Sequence, residues 1–185
     1  MIHLIRNNIQ NIPGKNLARK LVVFESDDWG SLRIPSAEVM SELEENGIDF
    51  SSNPFNSLDA LESDEDLTSL FDLLSGFRDF RGNHPVITAN CIVANPDFEK
   101  VQASHFNEYH WESIEATYAK SPQSKNAYRI FLQGMKSGVI WPQLHGREHL
   151  NIDQWLAALK SGDPQILKAF ALGVFAIDYK NEHSQ

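Results

Sequence analysis

Three short, nearly continuous apolar runs, Leu21-Val22-Val23-Phe24, Pro85 to Val93 and Val139 to Leu144, are separated by stretches of helical periodicity. Each has the pattern of a strand buried on both faces of a parallel sheet. Strands alternating with helices argue for parallel βα units rather than a meander or sandwich. In such sheets chemistry gathers at the C-terminal ends of the strands. Two polar motifs fall there: Phe24-Glu25-Ser26-Asp27-Asp28-Trp29-Gly30 after the first run, and His145-Gly146-Arg147-Glu148-His149 after the third.

Helix signals fill the intervals. Ser36 is placed to cap a helix carrying Val39, Met40 and Leu43, with Gly47 as its stop. Residues 48–58 read as loop, followed by an acidic helix from about Leu58 to Phe77. Its Asp64, Glu65 and Asp66 suit a dipole-favoured helix start and lack the spacing of a calcium loop. Asn95-Pro96-Asp97 begins a short helical or irregular piece, and Phe106, Tyr109, Trp111 and Tyr118 are expected mainly to pack. A helix over Ser124 to Lys136 closes at Gly138, Asn151 or Asp153 caps another through Lys160, and Asp163-Pro164 opens a last one. Residues 1–16 read as a lead-in segment with a turn at Pro13-Gly14.

Composition narrows the function classes. With 185 residues and 42% hydrophobic content, a single domain with a sizeable core is expected. The net charge of −9 supplies no field to draw nucleic acid or an anionic membrane, so neither is an expected partner. The lone cysteine, Cys91, cannot form an internal disulfide and is expected to be buried, which suits a reducing compartment. Met1 to Asn11 has no signal-peptide core and no stretch is long enough to span a bilayer, so a cytoplasmic location is expected.

A hydrolytic metal site uses about three His or carboxylate ligands and leaves a position for water. Asp28, His145 and His149 meet that description if the two motifs converge, and Asp27 remains free to take a proton. Histidines four apart lie on one face of a helical turn, and Gly146 lets the chain turn after its strand. Either motif alone is weak: Asp-Asp can be an ordinary turn, and the HxxxH spacing arises by chance among seven histidines. Their shared position at the ends of parallel strands carries the joint reading. His84 precedes its strand and is discounted, and His105 and His110 are assigned to surface or packing roles. The second motif also satisfies H-x-x-E-H, a zinc-peptidase signature with Glu148 as base, but that signature needs a sustained helix.

The two motifs resemble the first and second motifs of polysaccharide deacetylases of the NodB-homology type. The resemblance implies a distorted (β/α) barrel with helices outside, holding a divalent metal, commonly zinc, between the second aspartate and two histidines. Carried over by position, it makes Asp27 the general base and Asp28, His145 and His149 the metal ligands; beside these, Trp29, Asn90 and Arg147 are expected to contact substrate. The implied activity is hydrolysis of an N-acetyl or similar acyl group on a carbohydrate. The family's base-orienting arginine and leaving-group histidine have no counterpart here, and His183 lies in the wrong context. Three strands do not close a barrel of about eight, so an incomplete barrel lacking its C-terminal part is expected within one domain over residues 1–185. Two other classes stand beside this one: a non-catalytic carbohydrate- or metal-binding module, and an assembly role in which a homo-oligomer covers an open sheet edge.

Overall fold

The computed structural model describes residues 20–48 and 60–177. Strand β1 (Phe24–Trp29) pairs in parallel with β2 (Ile87–Cys91), which pairs in parallel with β5 (Ile140–Leu144). Helices α1 (Ala37–Glu45) and α2 (Asp64–Ser75) connect the first two strands. Strand β3 (Ala94–Pro96), helix α3 (Phe98–Ala103), strand β4 (Trp111–Ser113), and helices α4 (Ile114–Lys120) and α5 (Ala127–Ser137) precede β5. Helices α6 (Ile152–Ser161) and α7 (Pro164–Ala171) follow it. The described residues thus form an α/β fold with a three-stranded parallel sheet and seven helices, and the sheet does not close into a barrel.

Local chemistry sets the helix starts. Ser36 accepts from the Val39 N–H, Asn151 from Gln154, and Asp163 from Gln165 and Ile166, while Ser63 and Asp66 form a reciprocal capping box. That box starts α2 at Asp64, later than the Leu58 expected from periodicity. The stretch around Asn95 is strand rather than helix, because β3 finds an antiparallel partner in β4, and only then does Asp97 cap α3. The lead-in segment, most of the loop expected over 48–58, and His183 lie outside the described residues.

Among the described residues, one face of the sheet is covered. Ala89, Cys91 and Ile140, joined by Trp29, pack against Leu67, Phe71 and Leu74 of α2, Tyr118 of α4, and Ala127 and Phe131 of α5. The helices that pack on the sheet from both connections therefore sit on the same side, unlike a doubly wound sheet. By the two-residue alternation of strands, Glu25, Thr88 and Trp141 form one row across the opposite face, and Asn90 and Gln143 belong to the next. Trp141 is 62% exposed there. This corrects the expectation of strands buried on both faces: Phe24, which opens the edge strand β1, and Leu21, Val22 and Val23 just ahead of it are each more than half exposed.

A second apolar region joins α3, α6 and α7 through Val101, Trp155, Leu159, Ile166 and Phe170. Ile34, Leu43, Ile48, Ala169 and Val174 extend the packing to α1. Among the described residues, no helix is long and apolar enough to cross a membrane.

Helices α2 and α5 pack together at Gly134, where an added Cβ would stand 2.4 Å from the Phe71 ring. Gly134→Ala is expected to destabilise the protein by up to about 2 kcal/mol, the roughly 1–3 kcal/mol cost of overpacking a core less the roughly 1 kcal/mol that alanine gains in a helix. Urea unfolding midpoints check this, and an unchanged midpoint would show that Phe71 can move aside.

Candidate metal centre

The aspartate pair lies inside β1, not beyond its end. The β1–β2 register breaks between Ser26 and Trp29, and within this bulge Asp28 has φ 63°, in the left-handed region. The bulge separates the two carboxylates. Asp27 stays with Glu25, and both accept from the Asn90 side-chain amide, at 2.6 and 3.1 Å respectively. Trp29 turns into the core, 9% exposed, with its ring edge-on to Phe131. Of the expected substrate contacts, Trp29 is thus placed in the core and the Asn90 amide against the two carboxylates.

Buried polar side chains pin the turn that follows. Asn95, 2% exposed, donates to the Gly30 carbonyl and accepts from the Leu32 N–H. The Gly30 N–H donates to the Glu62 carboxylate, which also accepts from the Tyr118 hydroxyl at 2.8 Å. Glu62 and Asn95 carry no functional signal in the sequence, because Glu62 falls within the acidic helix expected from Leu58 and the partners of both lie in distant segments. Burial pushes the Cys91 thiol up to about 11, which leaves it inert as a nucleophile.

Burial also raises the Glu62 pKa above its ordinary 4.5. In the window between 4.5 and the raised native value, the folded state holds more proton than the unfolded one, so stability falls as pH rises through it. Glu62→Gln removes this titration while its carbonyl still accepts from Gly30. Denaturant midpoints across the window are expected to decline with pH less steeply in the variant than in the wild type.

The histidine motif is a loop rather than a helical turn, with Gly146 at φ 119°. Backbone bonds anchor it to the neighbouring strand: His145 N donates to the Cys91 carbonyl, and Val93 and Ala94 N–H groups donate to that of Arg147. The Arg147 guanidinium forms two bonds to Glu148 and stands 5.1 Å over the Tyr109 ring. This occupies Arg147, the other expected substrate contact. It also buries the Glu148 side chain to 4% exposure, in a loop without the helix an H-x-x-E-H site needs.

The two motifs do converge. One ligand atom from each of Asp28, His145 and His149 lies within 4.8 Å of the others. Asp28 Oδ2 accepts from Arg33 Nη2 at 2.7 Å. Asp28 Oδ1 faces the other way, 2.8 Å from His149 Nε2 and 3.6 Å from His145 Nε2. Despite the close approach of His149, Oδ1 is buried and makes no hydrogen bond. Lone pairs that approach without bonding fit a shared cation, and two imidazoles with a carboxylate suit zinc or a similar divalent ion. Asp27 stands outside this group, against Asn90. His84 instead contacts the Phe77 carbonyl, and His110 lines a separate open cleft of about 490 Å³ with Lys100, Ser104 and Asn107.

No family model, curated protein or solved structure matches the chain.

Proposed function

We propose that this chain is a metal-dependent hydrolase that removes an N-acetyl or similar acyl group from a carbohydrate. The observation that carries the reading is the buried Asp28 Oδ1, without a hydrogen bond beside two imidazole nitrogens. Asp28, His145 and His149 would hold the ion, which when bound supplies Lewis acidity and a more acidic water. Asp27 acts as general base. Asn90 holds its Oδ1, so Oδ2 is the oxygen left to take the proton. Asn90 thus orients the base where the resembled family uses an arginine.

The sheet supports the finer fold reading. Helices confined to one face of a parallel sheet are what an arc of a distorted (β/α) barrel presents, which would put Glu25, Asp27 and Asn90 on its inner wall. The peptidase reading gains no support from Glu148, which is committed to Arg147.

The test is acetate release from an N-acetylhexosamine oligomer by zinc-loaded protein. Asp27→Asn is expected to slow release by about 10²–10⁴-fold, the usual worth of a general base, while zinc content stays unchanged. Zinc binding without acetate release would instead indicate a binding module.

A further inference from the structure

We infer that Arg33 is a positioning residue that restricts Asp28 to ligation through a single oxygen. The inference rests on the metal-centre reading above and concerns how that centre is built. Asp28 divides its two oxygens: Oδ2 accepts from the Arg33 guanidinium at 2.7 Å, and Oδ1 alone faces the histidines. The ion pair is shielded, with side-chain exposures of 14% for Arg33 and 19% for Asp28. Partial burial and charge make this a stronger bond than an exposed pair forms.

Arg33 is also aimed by the fold. It ends the turn that Asn95 and Glu62 pin at Gly30 and Leu32, so the donor and the carboxylate it holds come from one braced segment. A free carboxylate can close on a cation with both oxygens. With Oδ2 held, Asp28 offers the ion a single oxygen, and a coordination position that its second oxygen would take stays open to water or substrate. Fixing a ligand through an outer partner is a general means of setting a metal site.

Infrared difference spectra of zinc-loaded minus chelator-stripped protein test this, because one-oxygen ligation separates the two carboxylate stretching bands widely and two-oxygen ligation brings them together. Asp28→Ala identifies the bands that belong to this residue. The wild type is expected to show a wide separation, Arg33→Lys to keep it, and Arg33→Gln or Arg33→Met, whichever folds, to show a clear narrowing. A wide separation in the glutamine or methionine variant would overturn the role of Arg33. A wild-type spectrum with zinc bound but no band sensitive to Asp28 would instead overturn the metal-centre reading, and the inference with it.

Discussion

Zinc titrated into chelator-stripped Asp28→Ala protein is expected to bind more than about 100-fold more weakly than to the wild type. Loss of an outer-shell partner alone typically costs 10–100-fold in affinity, and this change removes a ligand outright. It also removes the only anionic member of the Asp28, His145 and His149 group, leaving two neutral imidazoles on an exposed loop. His149→Ala is expected to follow it closely, since its Nε2 is the nearer to Oδ1, at 2.8 against 3.6 Å. Isothermal titration at fixed pH provides the measurement, because protons compete for both imidazoles. Equal zinc affinity in wild type and Asp28→Ala would remove the basis for the proposed function.

That site was only partly legible in the chain. The identities of Asp28, His145 and His149 follow from residue types placed at strand ends, because the ends of apolar runs are local features. How they meet is not local. The bulge that turns Asp28 away from Asp27 depends on pairing with β2, and the turn beyond it is fixed by Asn95 and Glu62 from distant segments. The histidine spacing matched a helix, yet Gly146 and backbone bonds to Cys91, Val93 and Ala94 make it an extended loop that still brings both rings together. Arg33 is five residues from Asp28 and reads as an ordinary surface cation until the turn brings it back. Helix caps were clearer because side chain and target N–H are three residues apart or fewer, as at Ser36, Asn151 and Asp163. The apolar character of Leu21 to Phe24 misled for a physical reason: hydrophobicity indicates a preference for burial, and nothing among the described residues covers that edge.

Trp155→Ala is expected to cost about 3–5 kcal/mol of folding stability, the range for removing a large aromatic from a core. Trp155 is 1% exposed and makes ring contacts with Phe98, Tyr109 and Phe170, so truncation opens a cavity bordered by α3 and α7. Rigid aromatic neighbours collapse poorly into such a space, which places the loss toward the upper part of the range. Trp155→Phe retains part of the volume and is expected to lose less. Chemical denaturation of both variants distinguishes cavity formation from a generic effect of substitution, because equal losses would contradict it. Tyr109 also supports the Arg147 guanidinium, so the alanine variant should loosen the histidine loop as well.

The left-handed backbone at Asp28 carries a consequence for stability. A side chain held in that conformation stores on the order of 1 kcal/mol, which glycine would release. Asp28→Gly would relax the backbone but eliminate the carboxylate that pairs with Arg33 and faces the two imidazoles. The chain keeps an aspartate in the less comfortable geometry, and with it a carboxylate aimed in advance at two imidazoles.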